Sequence, residues 1–524
     1  MSILSKASLV QIPSGYGEDK LYSEVPNTTA GDFQFSRASS GTRVSSDGYI
    51  ETAGVLSATE LVTNGDFATD SDWNKGNKWT ISGGTANKAT GSTSNISQVI
   101  SGISGKKIQV TFTISNQSGS GGLGASANGS DYTQNSTNGT YTEYIIPTSD
   151  NLYIRASYSF VCSIDNVSVK EVAQNNVPRL DYSGGASCPT LLLEGQRTNK
   201  SNNSEDWTAS GYVKNNVTVT ANQTTSPDGT ENADQLDFGS GSGFFYENVT
   251  TITAASTYSV FVKYIDYQYI QIIGTGDVDH YANFDIQNGI VGNTGSQSTA
   301  SIEDYGNGWY RCIINYNSGT FAGGARVYKT TSLTAGWASG GGVAGSFYFW
   351  GNQMELGTFH TSYIPTSGTS VTRTLESGII TSATDLIGQT EGTLYSEFDL
   401  TEDNNFTIVE INLGNSTSNR ILAYRNASYI QFIVQVGGTV EINNPTLVTF
   451  LDTNKIAVTY QTDDFKIYLN GSLVKTYTSG NIPSGFDTID LQDNNLQGRK
   501  QGVKSFAIFK EILTSTELET LTTI

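Results

Sequence analysis

Apolar and polar residues take turns along much of this chain. In "KKIQVTFTIS" the residues Val110, Phe112 and Ile114 fall on one side, with Thr111 and Thr113 on the other. A period of two is the signature of a strand with one face buried. Phe33 and Phe35 repeat the pattern in "FQFS", and Tyr258, Val260 and Val262 alternate with Ser259, Phe261 and Lys263. Further short runs, among them "LYIRASYS", "YGNGWYRCIINYN", "GSFYFWGNQMEL" and "YIQFIVQV", are separated by Gly, Asn, Ser and Asp turns. Asn470-Gly471 between "FKIYL" and "SLVKTY" predicts a tight hairpin. A single helix is expected near the end, where Thr514 and Glu517 have the spacing of a capping box.

These elements group into segments. Residues 61–172 and 201–357 read as two copies of one plan. Asn64-Gly65-Asp66-Phe67 precedes Trp73, and Asn203-Ser204-Glu205-Asp206 precedes Trp207. Each segment closes on a strand, "SIDNVSVKEV" in the first and "FYFWGNQMELG" in the second. Residues 385–524 form a third β-rich segment, reached through an extended arm over 358–384 in which Pro365 and a Thr/Ser run disfavour helix. Residues 1–58 and 174–200 are expected to make one small β unit, into which the first sandwich is inserted. The predicted class is all-β: three antiparallel sandwiches of jelly-roll type plus this N-terminal unit.

Composition narrows the functional classes. Hydrophobic residues make up 36% of the 524, charged residues 15% and aromatics 11%, with 56 glycines. Aromatics at that level and few charges mark a folded chain. The net charge of −20 offers no basic stripe for a nucleic-acid backbone. No apolar run is long enough for a signal peptide or a bilayer span, so neither secretion nor membrane insertion is expected. Cys162, Cys188 and Cys312 are odd in number and lack metal-ligand spacing; buried thiols are expected.

Several segments carry resemblances. "KIAVTYQTDDFKIYLNGSLVKTY" and "GVKSFAIFKEILTSTELETL" resemble the core strands and closing strand-plus-helix of the laminin-G/concanavalin-A-like lectin superfamily. That resemblance implies a two-sheet jelly roll, more often a binder than a catalyst. "NGDF" and "IDNVSV" make residues 61–172 similar to carbohydrate-binding-module jelly rolls. Acidic groups near these positions often hold structural calcium in that family, which implies Asp66 and Asp165 as ligands. The residues themselves also suit a turn and a strand cap, and two carboxylates alone do not complete a calcium site. "FSRASSGTRVSSDGYIE" and "VPRLDYSGGASCPTLLLEGQRTN" resemble the two halves of a motif found in bacteriophage fibre and other virion-surface proteins, and "SYIPTSGTSVTR" belongs to the same set. This implies a tail fibre, head fibre or capsid-decoration protein on the virion surface. Its partners would be other virion proteins, met through the N-terminal unit, and host-surface polysaccharide. Homotrimers are common among such fibres.

Site chemistry is sparse. The two histidines, His280 and His360, lie beside no serine-nucleophile motif, and no pair of carboxylates stands out as the acid and base of a glycosidase. A non-enzymatic protein is expected, with a capsule or polysaccharide depolymerase and a purely structural decoration protein as the alternatives. Sugar binding would use aromatic faces beside polar groups. Trp337, in the loop "TAGWASGGG", is the leading platform, followed by Tyr267, Tyr269 and Trp73; core packing is the competing reading of each. Trp309, Phe349 and Trp350 lie in strand runs and are expected in the core.

Overall fold

A computed structural model describes residues 2–247, 249, 254–274, 278–317, 324–400, 405–492 and 500–524. Its architecture is all-β, built from antiparallel sheets, with one α-helix among the described residues, Ser515–Thr522. The capping box expected there is present, with the Thr514 side chain and Glu517 satisfying each other's backbone N–H groups. The chain divides into two compact units, residues 54–174 and residues 1–53 with 175–524.

The smaller unit is a sandwich. One sheet runs, in spatial order, Gly139–Ile145, Ile108–Ser118, Val161–Ala173, Thr85–Lys88 and Trp79–Ser82; the other runs Leu123–Ser126, Asn151–Ala156, Ser94–Val99 and Asn74–Lys75. Val110, Phe112, Ile114, Ile154, Ile164 and Val169 fill the space between the sheets, each essentially without exposure. The alternation read in the sequence is thus the inward face. The unit's two ends meet: Val55 and Leu56 pair with Ala173 and Val172.

Residues 201–357 repeat this sandwich strand for strand. Val217–Thr224, Ala233–Phe238, Gly345–Leu356, Ser256–Tyr264 and Trp309–Tyr316 lie in the same spatial and chain order as the first five-stranded set. Tyr212–Asn215, Phe244–Glu247, Arg326–Lys329 and Tyr269–Ile273 reproduce the other sheet. Three additional strands, Tyr281–Asp285, Ile290–Thr294 and Ser298–Asp304, enlarge the second copy.

The duplication extends to a local device. Each closing strand bulges at a residue in the left-handed region, Asn166 at φ 53° and Gly351 at φ 63°. The next residue then donates its N–H to the opening loop: Val167 to the Gly65 carbonyl at 2.8 Å, and Asn352 to the Ser204 carbonyl at 3.1 Å. The approach in the first copy is close enough to require glycine, since a Cβ at residue 65 would lie 2.0 Å from the Val167 oxygen. This explains why "NGDF" and "IDNVSV" occur together. They are the two sides of one clasp.

The third sandwich differs from the sequence expectation in its membership. Its first sheet orders Arg179–Asp181, Thr190–Glu194, Lys500–Phe509, Glu391–Asp399, Thr453–Gln461, Asp464–Leu469 and Ser472–Tyr477, and Leu9–Gln11 also pairs with Lys500–Phe509. Its second sheet begins with Tyr16–Gly17, Lys20–Leu21, Phe33–Ser36 and Ser377–Thr381 before reaching Thr488–Asp490 and four strands between residues 405 and 447. Apart from the small hairpin Thr42–Val44 with Ile50–Thr52, the N-terminal strands therefore form no sheet of their own. Leu9, Leu21, Phe33, Phe35, Leu191 and Leu193 share one core with Leu394, Phe398, Phe406 and Phe506. So few apolar side chains cannot build an independent core, and they complete that of the third sandwich instead. The arm over 358–384 is likewise more than a linker. Val371–Arg373 pairs with Arg197–Asn199, and Ser377–Thr381 is a sheet strand.

Candidate functional site

The split motif converges on a buried ion cluster. Arg37 comes from its first half, Arg179 and Glu194 from its second, and Arg373 with Glu376 from the arm. All five side chains are at most 1% exposed. The Glu376 carboxylate accepts from Arg37 at 2.7 Å and from Arg179 Nε at 2.7 Å. Glu194 pairs with Arg179 at 2.9 Å and with Arg373 at 2.8 Å. Spare donors are used on backbone carbonyls: Arg37 on Val177, Arg179 on Thr42 and Arg373 on Gly195. Burial alone would raise the Glu376 pKa, but Arg179 and Arg37 outweigh it and hold the carboxyl below its ordinary value. With its charges enclosed in this way, the cluster joins distant segments and presents nothing to a ligand.

Beside it opens a cleft of about 820 Å³, lined among others by Arg43, Asp181, Glu303, Arg311, His360 and Asp399. Its polar groups are already committed to one another. Asp181 accepts the Val44 N–H at 2.7 Å, and Arg311 donates to Ser259 Oγ and the Thr361 carbonyl. Glu303 lies 3.1 Å from His360, and Asp399 is held by Thr190, Thr453 and Lys504.

The outer face of the second sandwich has the opposite character. On the sheet that runs from Tyr212–Asn215 to Ile290–Thr294, alternate residues point away from the core. Strand register sets Val213, Tyr246, Arg326, Ile273 and Tyr281 in one row. The neighbouring row is Asn215, Phe244, Tyr328, Gln271 and Asn283. The loop carrying Trp337 closes over the second row. Gln271 Nε2 donates to the Gly336 carbonyl at 2.8 Å, and Asn283 Nδ2 donates to Leu333 and Ala335 at 3.1 and 2.8 Å. Gly340 is needed where this loop crosses Tyr328, because a Cβ there would lie 2.9 Å from the ring. Phe244, Tyr246, Tyr281 and Arg326 stay partly exposed.

Arg326 stands out electrostatically. Its guanidinium carbon sits 4.7 Å from the Tyr246 ring centroid and 5.3 Å from that of Phe244. Its Nε is out of water and has no hydrogen-bond partner, and among the described residues no carboxylate pairs with it. An unmet buried donor of this kind costs roughly 1–3 kcal/mol.

Comparison with known proteins gives limited likeness. No family model matches the chain, and none of the curated proteins does. Among solved structures, the CBM40 of the Ruminococcus gnavus IT-sialidase, bound to alpha2,3 sialyllactose, is 14% identical. That match covers 26% of this chain and 84% of the other, at a TM-score of 0.23. The NanB sialidase from Streptococcus pneumoniae is 12% identical, with 28% of this chain and 26% of that one covered and a TM-score of 0.24. The receptor binding domain of botulinum neurotoxin mosaic serotype C/D is 14% identical over 28% of this chain and 39% of its own, at 0.23. The sandwich architecture stands on the strand pairings themselves.

The side chains singled out in the sequence scatter across the molecule. Trp337 is the exposed aromatic of the loop, at 36%. Tyr267 is half-buried and props that same loop, its hydroxyl donating to the Gly341 carbonyl. Tyr269 is half-buried on the outer face, two residues before Gln271 on the same strand. Trp73 is 6% exposed, packs on Phe67 at 5.2 Å and donates its indole N–H to the Asn64 carbonyl, so it belongs to the core of the smaller unit. Trp309, Phe349 and Trp350 are buried. Asp66 accepts the Ala68 N–H and Asp165 the Asn166 N–H, as turn-forming carboxylates do. Among the described residues no group of three potential ligands gathers for a metal. Phe244, Tyr246 and Arg326 escaped the sequence reading. "GFFYEN" looks like a continuous core run, whereas only Phe245 of its three aromatics enters the core. Cys162 and Cys312 are buried and Cys188 is exposed; burial pushes the Cys162 thiol up to about 12.

Proposed function

We propose that this chain is a non-enzymatic glycan-binding protein of the bacteriophage virion surface, with the outer face of the second sandwich as its binding site. The observation that carries the glycan half is a set of rings left at least partly exposed: Phe244 and Tyr246 against the Arg326 guanidinium, Tyr281 further along the same row, and Trp337 on the loop over the neighbouring row. Sugars are held by such apolar faces beside a few polar groups. The virion half rests on the motif resemblance across residues 35–51, 177–199 and 362–373. Attachment to other virion proteins would use surfaces outside the ion cluster, because Arg37, Arg179, Glu194, Arg373 and Glu376 are enclosed there. A trimer would present three such faces, and avidity would offset weak single sites.

On a glycan panel the full chain is expected to bind, and Tyr246→Ala and Trp337→Ala each to weaken binding about tenfold, ~1.4 kcal/mol. Both side chains are partly exposed, so unfolding midpoints should hardly move. Binding that survives both substitutions would place the site elsewhere. Turnover of polysaccharide by the purified protein would favour a depolymerase. Failure to bind any glycan, with the protein found on particles by immunoelectron microscopy, would favour a structural decoration protein. Absence from purified particles would overturn the virion assignment.

A further inference from the structure

Resting on that glycan reading, we propose that the face selects carboxylate-bearing sugars, uronic or sialic acids, through Arg326. The chain carries 49 acidic against 29 basic residues. A guanidinium with no carboxylate partner among the described residues is therefore unexpected on its surface. Arg326 is fixed against Phe244 and Tyr246, at 5.3 and 4.7 Å, so its planar fork is oriented before any ligand arrives. Such a fork matches a carboxylate through two parallel hydrogen bonds, which neither a hydroxyl nor a lysine reproduces. Its Nε, buried without an acceptor, is a donor still awaiting one.

The surroundings fit a sugar acid. Tyr246 lies on one side of Arg326 in the row, and the buried Ile273 followed by the partly exposed Tyr281 on the other. Three interstrand spacings of ~4.8 Å separate Tyr246 from Tyr281, roughly 14 Å. That length suits a short oligosaccharide with its charged residue near the middle. The carboxylates nearest in the sheet are bound elsewhere. Asp285 is taken by Gln268 and by the Gln287 and Asn288 N–H groups, and Glu247 by the Asn202 N–H and Asn352.

The test is calorimetric titration of the full chain with a glucuronate-containing trisaccharide and with sialyllactose, against maltotriose and lactose. The acidic ligands should bind at least tenfold tighter than the neutral ones, and whichever acid binds identifies the source. Arg326→Gln should abolish that preference, lowering the acidic ligands at least tenfold to the level of the neutral ones, and Arg326→Lys should recover only part of it. An unchanged unfolding midpoint shows that Arg326→Gln is folded. Equal affinity for acidic and neutral ligands would overturn the carboxylate inference and leave the glycan site standing. Failure of every ligand to bind would overturn both.

Discussion

Glu376→Gln should destabilise the larger unit by about 3–5 kcal/mol, far more than any surface substitution. Glutamine keeps the volume and shape of the side chain, so packing is preserved. What changes is charge: Arg37 and Arg179 lose the carboxylate that both use, and Arg179 retains only Glu194. Taking a guanidinium out of water is tolerable only while a partner compensates it. The effect should appear in calorimetry or near-ultraviolet circular dichroism as a lowered transition for residues 1–53 and 175–524. The transition of residues 54–174 should stay where it is. Acid has the same direction. Despite burial, which pushes the Glu376 pKa up, Arg179 and Arg37 hold it below the ordinary 4.5. Its contribution is present above that ordinary value and is lost as pH falls through the lower folded one. A cost under about 1 kcal/mol for Glu376→Gln would show that the cluster is not fully desolvated.

Trp207→Ala should cost a similar ~3–5 kcal/mol, by cavity formation. The indole is 0% exposed and lies 5.2, 4.8 and 5.4 Å from the rings of Tyr212, Phe245 and Phe349. Phe245 stands between Phe244 and Tyr246, so loosening its inner side disturbs the strand that carries the proposed platform. Glycan affinity and stability should therefore fall together. Trp73→Ala is the informative control. It empties the corresponding place in the first sandwich, where the aromatic is core, and should lower that unit's midpoint without touching glycan affinity. If Trp73→Ala abolished binding instead, the site would belong to the smaller unit.

Much of this fold was legible because a strand with one wet face writes its geometry as alternation. Val110, Phe112 and Ile114 did so openly, and the Asn-Gly hairpin and the capped helix are equally local. What escaped notice depends on partners far away in sequence. Nothing local in Leu9–Gln11 announces that it will pair with Phe506–Ile508. Arg37, Arg179 and Arg373 look like ordinary surface cations until three segments bring Glu194 and Glu376 to them. The second copy's three added strands hid its likeness to the first, although the Trp and its preceding acidic loop betrayed it. The proposed platform was only partly marked in the sequence. Trp337 was marked by its glycine-rich loop, whereas Arg326 drew no notice, because its significance lies in what it fails to touch.

The pairing of Leu9–Gln11 with Phe506–Ile508 also sets an order on biosynthesis. A ribosome releases the N-terminal strand long before its partner exists, and domains generally fold as units while the chain emerges. Residues 54–174 hold a complete sandwich and can close during translation. The stretch ahead of them carries half-finished sheet edges and must wait, exposed, for residues near 509. Such waiting strands are where nascent chains mispair. For this protein Leu9–Gln11 lacks its partner strand until Lys500–Phe509 has been made.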